Sequence, residues 1–237
     1  MITVADSREQ LQVPVYTGGH GIDITTAGSI FAFNIGPFNT TSIDPPDVLY
    51  AFYNVNRNSG TPTVPTVTDS RGTTWTLLAT NNWNSPRTAF FYAAIRDSAA
   101  AGTLTFDHGG TSHVAATLCY GGISGVSLSE GISAAFLQVG TNTASSSTSV
   151  SLGLAAPKTY YNRPFYFVVH NLTGNINFPS PMQFVQGNNW TITGAGPCAV
   201  VWQPYNAFTW QTSLSASFTS SFNWGIIGME VRIKGSR

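Results

Sequence analysis

Apolar and polar side chains alternate with a period of two along much of the chain. The segments "RTAFFYAAIRD", "HVAATLCYGG", "RPFYFVVHNL" and "WGIIGMEVRIK" alternate or form short apolar runs of strand length, rich in Phe, Tyr, Val and Ile. In the last segment, Ile227 and Met229 would share one face of a strand, and Trp224 and Glu230 the other. We therefore expect one face of this strand to lie in a core and the other to be either exposed to solvent or shared with another part of the structure.

Between these segments lie clusters of Gly, Pro, Asn and Ser that are typical of turns and loops. Examples are "NRNSGTPTVP", "TNTASSSTS", "NFPSPM" and "TGAGP". Only "DSAAAG", residues 97–102, suggests a helical turn, and it is too short for a substantial helix. The pattern predicts an all-β fold, an antiparallel β-sandwich with long loops and little helix. We expect residues 1–237 to form one sandwich domain, with residues 1–25 as an N-terminal arm or an extra strand.

The composition predicts an unusually uncharged surface. Charged residues make up 8% of the chain, against roughly 25% in an average soluble domain, and the formal net charge is zero. Such a protein lacks the charge repulsion that keeps small proteins apart, which favours a molecule fixed in an assembly or placed outside the cell. The basic residues are scattered and balanced by acids, so we expect no nucleic-acid partner. The N-terminus shows no signal-peptide pattern, and no window approaches the ~18 apolar residues of a membrane span.

The stretch "VTDSRGTTWTLL", residues 67–78, places an acid, a serine and an arginine side by side. A β-branched run enters it and a strand-like run leaves it, which is the pattern of a hairpin with Asp69 at the first turn position and Gly72 at the last. A reactive Asp-Ser pair would need a base and a third orienting group, and the sequence offers none. We therefore interpret Asp69 and Gly72 as structural turn residues. On this interpretation an Asn at position 69 would serve nearly as well.

A resemblance to a known domain is carried by five pieces in order: "PPDVLYAFYNVN", "VTDSRGTTWTLL", "RTAFFYAAIRDSAAAGTLTFD", "HVAATLCYGGISGV" and "WGIIGMEVRIK". They are similar to a β-sandwich domain of bacterial secreted and phage-associated proteins. The match covers roughly residues 45–126 and the C-terminal strand. This chain has Thr73 where Asn is usual and "CYGG" where "EYSG" is usual. The resemblance implies a jelly-roll-like fold of surface and structural proteins, and it supplies no catalytic residue.

Candidate catalytic or metal-binding groups are few. His108 and His113 lie five residues apart beside Asp107, but a zinc site needs three or four convergent donors and a further ligand is not visible. Glu130 and Glu230 are isolated in sequence, so no carboxylate pair for acid and base catalysis stands out. Cys119 and Cys198 are too few for a multi-disulfide framework or a cysteine-rich metal site; two buried free thiols are the favoured interpretation, and a disulfide between them is the alternative. We expect no enzyme, no metal and no cofactor.

Two tryptophans are the strongest candidates for contact with a partner. Trp83, in "NNWNSP", and Trp190, in "GNNWTI", lie among Asn and Gly, where a loop can hold an indole open for a partner subunit or a sugar ring. Packing of these two side chains in the core is the third alternative. Trp202, Trp210 and Trp224 lie in strand-like segments and are interpreted as core residues.

Two function classes follow from these observations. The first is a non-catalytic structural protein of a virus or phage particle, a capsid, decoration or tail component located in the virion. It would form homo-oligomers or contact other virion proteins through uncharged polar and aromatic surfaces. The alternative is an extracellular carbohydrate-binding module, in which Trp83 and Trp190 stack on surface glycans.

Overall fold

The computed structural model describes residues 17–22, 27–38, 46–96, 100–156, 162–171, 183–188, 198–202 and 213–234. These residues form thirteen β-strands and one helix of a single turn, α1 (Ile132–Ala135). The strands are, in chain order, β1 (Thr17–Ile22), β2 (Ile30–Ile35), β3 (Val48–Asn56), β4 (Thr66–Asp69), β5 (Thr76–Asn84), β6 (Arg87–Ile95), β7 (Gly102–Asp107), β8 (Ala115–Ile123), β9 (Phe136–Gly153), β10 (Arg163–His170), β11 (Gln183–Asn188), β12 (Cys198–Trp202) and β13 (Ser213–Val231). Every strand pair is antiparallel.

The first eight strands form two facing sheets. One sheet has the order β1-β8-β3-β6-β5 and is called the central sheet below; the other has the order β2-β7-β4 and is called the outer sheet. The pairings β1 with β8, β2 with β7 and β3 with β6 are those of a long hairpin rolled into two layers, which is the jelly roll. Strand β5 departs from a symmetric roll because it pairs with β6 in the central sheet.

Aromatic side chains fill the space between the central and outer sheets. Tyr53 of β3 stacks on Phe106 of β7, with ring centroids 3.9 Å apart and an interplanar angle of 5°. Phe33 of β2 meets both of these rings edge-on. The rings come from alternate positions of each strand because a strand sends every second side chain to one face. The jelly roll therefore has its own apolar core.

The last five strands form a third sheet, with the order β11-β12-β10-β13-β9, called the terminal sheet. It packs on the face of the central sheet that points away from the outer sheet. Phe52 of β3 lies stacked between Phe91 of β6 and Phe167 of β10, at centroid distances of 4.5 and 4.2 Å. The central sheet is thus covered on both faces, and all nine residues of β3 and of β8 are buried.

The paired strands β9 and β13 double back on themselves. The Nδ2 atom of Asn142 donates to the carbonyl oxygen of Ser151 at 2.8 Å, although nine residues of straight strand span roughly 30 Å. The bend falls where Ser146 has a φ of 50° and where the register shifts between Ser217 and Phe222. The far half of the pair, residues 147–153 with 213–217, is called the distal ribbon. It covers the outer face of the terminal sheet and encloses a third apolar cluster.

The prediction of an all-β, antiparallel sandwich is confirmed, and the structure adds a third sheet and the distal ribbon to it. Of the two alternatives for the second face of β13, exposed to solvent or shared, the structure shows a shared face, because Trp224 and Glu230 on it are also buried. Of residues 1–25, the described part 17–22 is strand β1, paired with β8. Half of the helical turn suggested for residues 97–102 lies outside the described residues, since 97–99 are not described, and Gly102 begins β7.

Candidate functional site

Trp83 is not the open loop indole that the sequence suggested. It lies in β5, it is 1% exposed, and it belongs to the core between the central and terminal sheets. Its Nε1 donates to Oδ1 of Asn54 at 3.0 Å, and the guanidinium of Arg87 lies 5.6 Å from its ring centroid. The indole is buried because its neighbours in the Asn-rich segment belong to a strand rather than to a loop. Trp190 lies outside the described residues.

Asn81, two residues earlier in β5, fastens the central sheet to the terminal sheet. Its Nδ2 donates to the carbonyl oxygens of Ile226 at 2.9 Å and of Asn142 at 3.0 Å. Asn81 and Trp83 point to the same face of β5 because they are two residues apart. The segment "TNNWN" is therefore part of the contact between the central and terminal sheets. The sequence did not reveal the role of Asn81, because a polar residue beside an aromatic one is also typical of a loop.

Residues 69–72 form a tight turn as predicted, but the predicted hairpin is wrong, because β4 pairs with β7 in the outer sheet and β5 pairs with β6 in the central sheet. The N–H of Gly72 donates to the carbonyl oxygen of Asp69 at 3.0 Å, and Gly72 has a φ of 83°, a region that favours glycine. One carboxyl oxygen of Asp69 accepts from the N–H of Arg71 at 2.8 Å. Asp69 is thus fully used in fixing the turn, and its carboxylate is not a free reactive group.

Asp69 also forms an ion pair that the sequence did not reveal. Nη2 and Nε of Arg71 donate to its carboxylate, and Nε1 of Trp75 donates to Oδ2 at 2.9 Å. The side chains of Arg71 and Asp69 are 2% and 0% exposed, although the backbone of the turn faces solvent. Arg71 also lies over the ring of Phe38. An Asn at position 69 would leave this arginine buried without its counter-charge, so the expected equivalence of Asp and Asn does not follow from this geometry.

The environment of Asp69 stabilises its charged form. Burial alone would raise the pKa of the carboxyl, but the hydrogen bonds from Arg71 and Trp75 and the charge of Arg71 hold the pKa of Asp69 below its usual value. A carboxyl whose pKa is lowered by folding contributes stability above its unfolded pKa, near 4. That contribution is lost as the pH falls through the lowered value.

His108 and His113 form a buried pair at one end of the jelly roll. Their ring centroids are 3.9 Å apart. Nδ1 of His108 lies 2.9 Å from the carbonyl oxygen of Thr63 and must donate to it, because a carbonyl only accepts. Nε2 of neutral His108 then accepts from the hydroxyl of Tyr53 at 2.9 Å. Nδ1 of His113 donates in the same way to the carbonyl oxygen of Thr111 at 2.7 Å, which leaves Nε2 of His113 buried with no hydrogen-bond partner among the described residues.

The surroundings of the pair favour two neutral imidazoles. Burial, with a smaller effect of His113, lowers the pKa of His108 to about 4. Burial and the charge of Arg57 also lower the pKa of His113. Within the described part of the chain, no group of three or more His, Cys, Asp or Glu side chains could hold a metal ion. The pair is therefore assigned to packing, with a proton-linked effect on stability.

Several other charged side chains are engaged within the molecule. Glu230 is buried and accepts hydrogen bonds from Asn162, at 2.5 Å, and from Gln138. Near the surface, Arg232 pairs with Glu130 at 2.9 Å, and Lys234 pairs with Asp47 at 2.7 Å. Cys119 is buried in the core between the central and terminal sheets.

The exposed face of the outer sheet carries hydroxyl and small side chains. Thr66 and Thr68 of β4 and Ala32 of β2 are exposed, with Thr105 of β7 between them in register with Thr68 and Ala32. Ile30 at one end of the face is 58% exposed. The face is uncharged apart from Asp107, which lies at the end of β7 and accepts from the N–H of Gly109. We call this surface the threonine face.

The distal ribbon presents a second uncharged face on the opposite side of the molecule. Its inward residues are apolar and buried, and its outward side chains are serines. The exposed serines are Ser149, Ser151, Ser213, Ser215 and Ser217. Ser151 is paired with Ser215, and Ser149 with Ser217. We call this surface the serine face. The alternation in "SVSLG" and "SLSASF" is the sequence signal that could have located it.

No family model, curated protein or solved structure matches this chain. Among the described residues, there is no helix with the length and apolarity needed to cross a membrane. The site is therefore assessed on its own geometry.

Proposed function

We propose that this protein is a non-catalytic structural protein of a virus or phage particle that assembles through uncharged polar faces. The observation that carries the proposal is the pair of hydroxyl-rich faces on opposite sides of the molecule, the threonine face and the serine face. Hydroxyl groups both donate and accept hydrogen bonds, so such faces can meet one another without a strict pairing of charges.

The size of each face favours repeated contacts over an isolated dimer. With strands about 4.8 Å apart and a rise of about 3.3 Å per residue, a three-stranded face of this length offers roughly 300 Å². A standard interface buries about 800 Å² on each partner. Two faces that point in opposite directions allow each subunit to contact two neighbours, and such head-to-tail contacts generate rings or filaments.

The fold is compatible with this role but does not establish it. Jelly rolls occur in viral capsid proteins and also in lectins and cupins, so function must be argued from the surfaces. The alternative, an extracellular carbohydrate-binding module, rested on two open indoles. Trp83 is buried and cannot stack on a sugar in this conformation, which leaves that alternative with Trp190 and weakens it.

Charge substitutions on the threonine face test the proposal. Thr68→Glu and Thr105→Glu together would place like charges on neighbouring strands of the outer sheet, so subunits meeting through this face should separate. Asn58→Glu, in the exposed loop after β3, is the matched control and should leave association unchanged. The measurement is molar mass by light scattering as a function of protein concentration. Equal association of the double variant and the parent would exclude this face from the assembly.

A further inference from the structure

Strand β9 is an edge strand that lacks charged residues and prolines, two of the usual protections of an edge. Among the described strands it pairs with β13 alone. Its sequence, "FLQVGTNTASSSTSVSLG", contains no charged residue and no proline. An edge strand exposes unpaired N–H and C=O groups to which another chain can add a strand, and proteins commonly block this with charges, prolines or a covering segment.

Side chains of β9 occupy main-chain groups along this edge. Oδ1 of Asn142 accepts from the N–H of Thr143 at 2.9 Å, and Nδ2 of Asn142 donates to the carbonyl oxygen of Ser151 at 2.8 Å. Oγ of Ser147 accepts from the N–H of Ser149 at 3.1 Å and donates to the carbonyl oxygen of Ser149 at 2.8 Å. Two side chains thus engage four main-chain groups.

Three of the engaged groups, the N–H and C=O of Ser149 and the C=O of Ser151, lie on the side of β9 that faces away from β13. In an antiparallel ladder, the N–H and C=O of one residue point together toward the partner strand or together away from it. Both main-chain groups of Ser149 are bonded to Ser147, so Ser149 points away from β13. Ser151 has the same orientation because it is two residues further along. These three groups are therefore among those that an added strand would need.

We propose that Asn142 and Ser147 are edge caps that close β9 to strand addition by a second copy of this chain. A second copy fits this edge because two uncharged β9 strands can lie antiparallel across a twofold axis without like-charge repulsion. Thr and Ser on both strands can also form cross-strand hydrogen bonds. The inference goes beyond the proposed function and does not depend on association through the threonine or serine face.

Removal of the caps tests this inference. Asn142→Ala and Ser147→Ala, singly and together, should expose the edge, and the double variant should show at least twice the molar mass of the parent at the same concentration. Ser145→Ala and Thr148→Ala are matched controls, because both residues are exposed on the same strand and neither takes part in a cap. Hydrogen exchange at the amides of Thr143 and Ser149 should be faster in the dilute double variant than in the parent.

A rescue variant separates strand addition from general loss of structure. Ser145→Lys in the double-variant background should return the molar mass to that of the parent, because a lysine on an edge strand opposes the addition of another strand. If one alanine variant fails to fold, the other carries the test, since each cap acts on its own main-chain groups. Unchanged molar mass together with unchanged amide exchange in the folded variants would overturn the inference. Increased mass that Ser145→Lys does not reverse would also overturn it.

Discussion

Gly225 of β13 lies directly beneath Trp83 of β5. A Cβ atom placed on Gly225 would come 2.2 Å from the Cβ of Trp83 and 3.2 Å from Nδ2 of Asn81. This close approach lets Asn81 reach the carbonyl oxygen of Ile226, the next residue of β13. The absence of a side chain at position 225 therefore sets the distance between the central and terminal sheets.

Gly225→Ala should destabilise the protein by about 3 kcal/mol, because overpacking a well-packed core forces the surrounding structure to shift. The measurement is the free energy of unfolding in urea. Gly153→Ala is the matched control, since Gly153 also lies in a strand and a Cβ there would meet nothing within 4 Å. Equal stability of the two variants would mean that the sheets can separate at no cost, contrary to the packing described.

Asp69→Asn should cost about 3 kcal/mol, because it leaves the buried guanidinium of Arg71 without its counter-charge. Asp107→Asn is the control, since an amide oxygen can still accept from the N–H of Gly109 and should cost under about 1 kcal/mol. Gly72→Ala should cost about 1 kcal/mol, from its positive φ alone, because a Cβ there meets nothing within 4 Å. If Asp69→Asn is as stable as the parent in urea unfolding, the ion pair does not support the turn.

Acid should weaken the protein through His108. Because folding lowers the pKa of this imidazole to about 4, the unfolded chain binds a proton more readily between about pH 6.5 and pH 4. The stability contributed by neutral His108 is fully present above about pH 6.5 and is lost as the pH falls to about 4, by about 3 kcal/mol in total. The pKa of His113 is also lowered by folding, so this residue adds a further loss of stability in acid.

The measurement is urea unfolding of the parent and of His108→Gln across this range. The variant should show a smaller slope of stability against pH, since one of the two imidazoles is gone. Asp69 acts at lower pH, below its unfolded value near 4, so the two effects occupy different windows. A parent protein whose stability is constant between about pH 6.5 and pH 4 would contradict the assignment of a neutral buried pair.

The sequence predicted strands well because their residues obey a local rule. Period two identified β6, β8, β10 and β13, and the turn chemistry of Asp69 and Gly72 identified the bend between β4 and β5. The third sheet was not predictable in this way. The continuous apolar run of β3 shows burial on both faces, but it does not say which strands supply the second cover.

The burial and pairing of the candidate site residues could not be predicted from the local sequence pattern either. Trp83 looked open because its neighbours are Asn, whereas its burial depends on Gly225, which is distant in sequence. The pairing of Arg71 with Asp69 depends on a turn that turns both side chains inward. The caps of β9 depend on a bend at Ser146, and periodicity alone does not locate a bend.

Molar mass by light scattering at increasing ionic strength tests the proposed assembly most directly. Contacts between uncharged hydroxyl faces contain little charge to screen, so the parent protein should form an oligomer whose mass is the same at about 0.05 M and about 1 M salt, where the Debye length falls to roughly 3 Å. A strictly monomeric protein at high concentration would contradict the account, and so would an oligomer that dissociates as salt is added.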